Sequence, residues 1–182
     1  REVIPGVKIG TGGNTVQHRK EKADFNRRMY TELATETDVA LWHAHGSIEN
    51  YVTRHRLVEH WTEQGGRPRS QQLLGNSEAG LPAGGSAHGR LDQADNLVKK
   101  IGWAKSQPNS YFYIWFTTTD TYDPQGGYLH NENWGMATAN QRLKASGQAY
   151  NELIRKLANT TGLGEVDLDG RLQSVAFERA DG

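Results

Sequence analysis

The sequence predicts an α/β fold in which helices cover a parallel β-sheet. Short apolar segments begin near residues 7, 38, 71 and 110, and a longer segment with helical periodicity follows each of them. Such regular alternation favours parallel strands, because each parallel pair needs a crossover connection of that length. Two architectures fit this order: a doubly wound open sheet, or part of a (β/α)8 barrel.

Four strands are predicted from composition and from the signals at their ends. They cover residues 7–10, 38–45, 71–77 and 111–116. The last segment, Tyr-Phe-Tyr-Ile-Trp-Phe, is the strongest of the four because aromatic and β-branched side chains favour strands.

Helical periodicity predicts helices over residues 20–36, 51–64, 89–106 and 143–157. Gly65 to Pro68 ends the second of these helices, and Pro108 follows the third. The segment from Thr117 through Asn140 is too long to be a mere connector, so we expect it to contribute to function.

The pattern changes after Thr161. Alternating residues on both sides of Asp169-Gly170 predict a β-hairpin. We therefore divide the chain into an α/β domain over residues 1–160 and a β tail over residues 161–182. The tail is either the start of a separate β-domain or a strand pair docked on the main domain.

Composition excludes several classes of function. The 182 residues suffice for one ordinary domain. Lys+Arg and Asp+Glu both number 21, so a net charge of zero gives no reason to expect nucleic acid or a membrane surface as a partner. No run approaches the roughly 18 apolar residues of a membrane span. Cysteine is absent, which excludes disulfides and thiolate chemistry.

A nucleotide cofactor is not expected either. Gly10-Thr11-Gly12-Gly13 has the composition of a phosphate-binding loop but not the G-x-G-x-x-G spacing. We expect no cofactor of any kind.

Glu78 is the strongest candidate for a catalytic residue. It ends the apolar segment that starts near residue 71, and a glycine-rich loop follows it. Enzymes built on parallel β-sheets place catalytic groups at the carboxyl ends of the strands, where this carboxylate lies. The structural alternative is that Glu78 caps the following turn or pairs with an arginine.

His43 and His45 lie two residues apart on a predicted strand, so they share one face with Leu41. They could hydrogen-bond a carboxylate on the next strand or a sugar hydroxyl. Together with Glu78 they could instead bind zinc. They could also be structural histidines.

Aromatic residues cluster toward the end of the fourth predicted strand and in the loop beyond it. Trp115 is either a core residue or a platform for the apolar face of a sugar ring. Tyr128 and Trp134 lie in a loop rich in aromatic and amide side chains, a composition that suits carbohydrate but also fits a protein-binding loop.

Three passages resemble the retaining glycoside hydrolases of clan A, with family 39-like and family 5-like members the most similar. Their E-x-G nucleophile strand, their eighth strand with its active-site Trp, and their passage into the last barrel helix all have counterparts here. These counterparts are Asn76 to Gly80, Tyr113 to Phe116, and Asn133 to Met136 followed by Gln141 to Ala145 and Tyr150. The resemblance covers residues 5–160 and implies strands 5–8, with their helices, of a (β/α)8 TIM barrel.

The sequence also departs from the family pattern. Ala145 stands where proline is common, and no Asn-Glu pair ends a fourth strand. Clan A enzymes use two carboxylates, and by this alignment the acid/base would precede all the residues seen here. A full barrel takes about 250 residues, so the resemblance implies that the N-terminal half of the barrel is a missing partner.

The resemblance implies a glycoside hydrolase of the retaining type that acts on a poly- or oligosaccharide and is inactive as this isolated chain. We expect it to be secreted or periplasmic. Glu78 would be the nucleophile, and His45, with a contribution from His43, would orient it. The substrate-binding residues would be His43, Asn76, Trp115, Tyr128 and Trp134. The alternatives are a metal-dependent hydrolase that uses His43, His45 and Glu78, a non-catalytic carbohydrate-binding barrel, or an α/β interaction domain.

Overall fold

The structure, a computed structural model, describes residues 6–16, 20–83, 87–120, 133–168 and 171–180. Its helices are α1 (Lys20–Glu32), α2 (Ile48–Gln64), α3 (Ala87–Ser106) and α4 (Ala145–Leu157), with a short 3-10 helix at Arg69–Gln71. Its strands are β1 (Ala40–His45), β2 (Leu74–Gly80), β3 (Ser110–Trp115), β4 (Thr160–Leu168) and β5 (Arg171–Arg179).

Strands β1, β2 and β3 form one sheet in that order, so β2 is the central strand. The amide of Ala40 donates to the carbonyl of Leu73, and the amide of Gly46 donates to that of Gly80. Residue numbers rise along both strands from the first bond to the second, so β1 and β2 are parallel. Strands β2 and β3 show the same relation through the bonds Leu74 N to Asn109 O and Phe116 N to Ala79 O.

Two of the predicted strands need correction. The segment predicted as a strand at residues 7–10 forms only isolated parallel bridges, Gly10 with Val39 and Thr15 with His43. Gly10 at its end, with Gly12 and Gly13 just beyond, weakens a regular ladder. Strand β2 starts at Leu74 rather than at residue 71, because the 3-10 helix occupies the expected start, and it continues past Glu78 to Gly80.

The two faces of β1 differ in burial. Ala40, Trp42 and Ala44 are buried, whereas the alternate residues are half-buried. His43 and His45 therefore share the less covered face with Leu41, as the period of two predicts.

The chain divides into two compact units. The first comprises Arg1–Ala44, Glu49–Glu78 and Asn109–Ile114, and the second comprises His45–Ile48, Ala79–Pro108 and Trp115–Gly182. In the first unit the Trp42 ring lies 4.8 Å from that of Tyr51, and Tyr30 of α1 stacks on Trp61 of α2 at 6.1 Å. These large buried rings supply much of the apolar area that stabilises this unit.

A buried polar network also stabilises the first unit. The Nδ2 of Asn109 donates to Oε1 of Glu59 at 2.6 Å, and Arg69 Nε lies 2.7 Å from the same oxygen. The Oδ1 of Asn109 lies 3.4 Å from Nε2 of His55, and Gln72 donates to the Glu59 carbonyl. Helix α2 is thereby tied to the residue that precedes β3.

The second unit contains α3, α4 and the antiparallel pair β4–β5, whose register runs from Thr160 opposite Arg179 to Leu168 opposite Arg171. The indole of Trp103 on α3 donates to Glu165 of β4 at 2.6 Å. A Cβ on Gly162 would come within 2.4 Å of the Ser106 backbone, so glycine permits this close packing. The predicted turn at Asp169-Gly170 lies outside the described residues. None of the helices in the described ranges is long and apolar enough to cross a membrane.

The stability of the first unit should depend on pH through His55. The pKa of His55 falls from its ordinary 6.5 to about 4, chiefly because of burial; the Asn109 hydrogen bond opposes this fall, and the charges of Arg69 and Arg56 contribute to it. Between these pH values the unfolded chain binds a proton that the folded chain does not. The free energy of unfolding should therefore be fully retained above pH 6.5 and fall by roughly 3 kcal/mol as the pH drops to 4.

Urea unfolding between pH 7 and pH 4.5 measures this dependence. His55→Gln keeps a polar side chain that does not titrate, so it should flatten the pH dependence. The control, His60→Gln, changes an exposed histidine of the same helix and should leave the dependence as it is. An unaltered slope in His55→Gln would rule out His55 as its source.

Candidate active site

Glu78 lies on the central strand β2, two residues before the strand ends. Its Oε2 atom is 3.5 Å from Nδ1 of His43 on the neighbouring strand β1, and 32% of its side chain is exposed. A carboxylate in this position is held by an imidazole at one oxygen and is still reachable from solvent. This pairing is the geometric core of the candidate site.

The imidazole of His43 is confined on its other side by the glycine loop. A Cβ on Gly13 would lie 2.5 Å from Nε2 of His43 and 2.7 Å from Oγ of Ser77. The backbone amide of His43 donates to the carbonyl of Asn14 at 2.9 Å, which fixes this loop against β1. The absence of a side chain at Gly13 therefore leaves the space in which His43 and Ser77 meet.

Asn76, predicted to bind substrate, is buried in this structure, and its role stays a prediction. Only 1% of it is exposed, and its Nδ2 donates to the carbonyl of Trp42 at 3.3 Å. Ser77 is the polar neighbour that the sequence interpretation missed, since a Cβ on Gly13 would lie close to both Ser77 Oγ and His43 Nε2. Strand alternation alone does not account for these neighbours, because His43 also contacts Glu78, the residue next to Ser77.

His45 belongs to an aromatic group in the second unit. Its ring centroid lies 5.0 Å from Trp134 and 6.1 Å from Phe116, in both cases edge to face, and the two aromatic rings lie 5.8 Å apart. Phe116 was not predicted as a site residue, although it ends the aromatic run of the fourth predicted strand. The expected role of His45 in orienting Glu78 stays a prediction.

Trp115 is a packing residue in this structure. It is 7% exposed, its Nε1 donates to the carbonyl of Trp134 at 3.3 Å, and Nζ of Lys100 lies 5.7 Å from its ring. Its predicted role as a sugar platform stays a prediction. Neighbouring residues of a strand face opposite ways, and Phe116 has the more exposed position. Tyr128 lies outside the described residues.

The metal-dependent alternative has no geometric support in the part of the chain that the structure describes. There, no group of three or more His, Asp or Glu side chains could hold a metal ion. His43, His45 and Glu78, the zinc ligands of that alternative, do not form such a group.

Comparison with known proteins establishes the fold. No protein-family model matches the chain, and no curated protein sequence is similar to it. Among solved structures, xylanase 10B from Thermotoga maritima is similar with a TM-score of 0.57 at 19% identity, over 79% of this chain and 46% of that one. A GH5_18 protein from Streptomyces cattleya, solved in complex with Manb1-4GlcNAc, gives a TM-score of 0.65 at 16% identity, over 88% and 40%.

A GH5_18 protein from Bifidobacterium longum subsp. infantis is also similar, with a TM-score of 0.56 at 17% identity over 79% of this chain and 38% of that one. These structural neighbours are glycoside hydrolases of clan A, as the resemblance in sequence implies. The chain spans less than half the length of each of the three. Over part of their length it thus shares with them an α/β fold with a parallel sheet.

The space around His43 predicts that replacing Gly13 by alanine is destabilising, whereas the same replacement at Gly12 is not. Gly13→Ala should displace the His43 imidazole and cost about 1–3 kcal/mol of stability, because its Cβ would overlap Nε2 of His43 and Oγ of Ser77. Gly12→Ala is the matched control, since its Cβ would have nothing within 4 Å. Urea unfolding and the imidazole NMR signals of His43 measure the two effects. Equal behaviour of the two variants would contradict the described packing.

Proposed function

We propose that this chain carries the nucleophile half of a glycoside hydrolase of the retaining type, which acts on a poly- or oligosaccharide. The observation that carries the proposal is Glu78: a partly exposed carboxylate near the carboxyl end of the central parallel strand, with an imidazole 3.5 Å away. The barrel fold shared with glycoside hydrolases supports the class of reaction. A secreted or periplasmic location would fit such a substrate.

In the proposed reaction Glu78 attacks the anomeric carbon of the sugar. A bond forms between this carbon and a carboxylate oxygen while the bond to the leaving oxygen breaks, and a second carboxylic acid about 5 Å away protonates that oxygen. The second group, now ionised, then takes a proton from water, whose oxygen displaces Glu78 and regenerates the carboxylate. The configuration of the sugar is retained because two displacements occur.

His43 has the position to orient the nucleophile. A neutral imidazole with its proton on Nδ1 would donate toward Oε2 of Glu78, and its Nε2 faces the Gly13 and Ser77 side. This contact would direct the second carboxylate oxygen, which His43 does not hold, toward the substrate. We assign the orienting role to His43 on this distance and keep His45 as a further candidate.

The proposed enzyme needs groups beyond those described in this chain. The sheet β1–β2–β3, with the bridged segment at residues 10–15, accounts for about half of an eight-stranded barrel. We propose that the other half supplies the remaining strands and the acid/base. On this view Ile114, which is half exposed, lies on a sheet face that the missing half would cover.

Replacement of Glu78 tests the proposal in the complete polypeptide that carries this sequence. Glu78→Gln should lower kcat/KM on a panel of aryl β-glycosides by about ten-thousandfold or more, because the covalent step is lost. Glu63→Gln, an exposed glutamate of α2, is the control and should leave turnover unchanged.

A structural role for Glu78 is separated from a nucleophilic one by chemical rescue. In Glu78→Ala, azide should restore the release of an activated phenolate and yield a glycosyl azide of inverted configuration, since azide enters where the carboxylate stood. Full turnover in Glu78→Gln would remove Glu78 as the nucleophile. If sugar binding persisted in a protein with no hydrolysis, the non-catalytic carbohydrate-binding barrel would be favoured.

A further inference from the structure

A buried ion pair lies in the second unit beside the segment that carries Trp134. Lys144 and Asp120 expose only 4% and 12% of their side chains, and Nζ lies 2.9 Å from Oδ1 and 3.2 Å from Oδ2. The same ammonium donates to the carbonyl of Asn133 at 2.9 Å. Asp120 in turn accepts from the amide of Gly135 at 2.8 Å. The pair thus forms hydrogen bonds with the backbone on both sides of Trp134.

Gln93 of α3 holds the same segment from another direction. It is fully buried, and its Nε2 lies within 3.1 Å of the carbonyls of Leu81, Asn133 and Trp134. Its Oε1 accepts from the hydroxyl of Ser146 at 2.8 Å, which fixes the orientation of the amide group. Both carbonyls around the Trp134 side chain therefore have buried donors.

The indole of Trp134 faces His45 and Phe116. Close packing leaves it little room, because a Cβ on Gly80 would lie 2.9 Å from its Cε3 atom. A Cβ on Gly135 would lie 2.2 Å from the amide nitrogen of Asp120, so the residue after Trp134 also has to be glycine. The ring is thus set by its neighbours as well as by its backbone.

Stability alone is a weak explanation for this network. A buried ion pair often contributes no more than apolar residues of the same volume, because both charges lose their hydration. Gln93 and Lys144 instead donate to the carbonyls of Asn133 and Trp134, around one half-buried aromatic residue. Such a ring can bind a ligand with little loss of conformational entropy.

We propose that Gln93 and the Lys144–Asp120 pair are positioning residues that hold the Trp134 indole as a rigid wall for the apolar face of a pyranose ring. The identity of the ligand rests on the proposed function, whereas the positioning of Trp134 does not. Trp134 is the residue that touches sugar, and Gln93, Lys144 and Asp120 act through it.

Two variants test the positioning in the complete polypeptide that carries this sequence. Gln93→Leu removes all the hydrogen bonds of the side-chain amide, whereas Ser146→Ala removes only the bond to Oε1 of Gln93. The control is Ser106→Ala, which removes a buried hydroxyl of the same helix α3 that bonds to Trp103 and Gln107 instead. The three variants each remove buried hydrogen bonds. Only Gln93→Leu and Ser146→Ala affect bonds of the network that holds the Trp134 segment.

The first readout is the indole N–H signal of Trp134, assigned with Trp134→Phe, together with hydrogen exchange at the amides of Gly135 and Ala137. Gln93→Leu should shift the indole signal and speed the exchange by about tenfold, with a smaller effect in Ser146→Ala and none in Ser106→Ala after correction for global stability. An unchanged indole signal and unchanged exchange in Gln93→Leu would overturn the inference.

The second readout is titration with soluble xylo-, cello- and manno-oligosaccharides, followed through the same indole signal. The parent chain should bind at least one of them, and Gln93→Leu should weaken that Kd by about tenfold. Unchanged affinity in Gln93→Leu despite a displaced indole would also refute the inference. If the parent bound no sugar while the variant displaced the indole, the positioning would stand and the proposed function would fail.

Discussion

The contact between Glu78 and His43 depends on the register of β1 against β2. Backbone hydrogen bonds set this register, from Ala40 N to Leu73 O at one end and from Gly46 N to Gly80 O at the other. A slip of one residue would turn His43 toward the covered face and bring Trp42 or Ala44 to the exposed face. Such a slip would bury an imidazole and expose a large indole, so burial of the apolar face enforces the same pairing that places the candidate nucleophile.

Buried polar groups have two different uses in this protein. In the first unit, the network of Glu59, Asn109 and His55 joins α2 to the start of β3 and serves the packing of that unit. In the second unit, Gln93 and Lys144 bind the backbone around one aromatic side chain. In both networks the buried polar groups form hydrogen bonds with one another or with the backbone. The two networks differ in their surroundings: the second one holds the backbone beside a half-buried side chain, that of Trp134, and the first one does not.

Glycine has a steric purpose around the candidate site. At Gly13 a side chain would collide with His43 and Ser77, and at Gly80 it would collide with Trp134. Close approach of side chains thus accounts for the glycines at positions 10, 13, 75 and 80, whereas a Cβ on Gly12 would have nothing within 4 Å.

Local pattern was sufficient for the alternation of strands and helices, for the shared face of His43 and His45, and for the position of Glu78 near the end of a parallel strand, because these follow from apolar periodicity and from strand ends. Tertiary structure decided the rest. It showed that His43 contacts Glu78, that Asn76 is covered while Ser77 is beside His43, and that Trp115 is buried. Gln93 reaches Trp134 and Ser146 across 41 and 53 positions of sequence. Periodicity reports only which face a residue occupies, whereas the partner on that face is set by the packing of segments far apart in the chain.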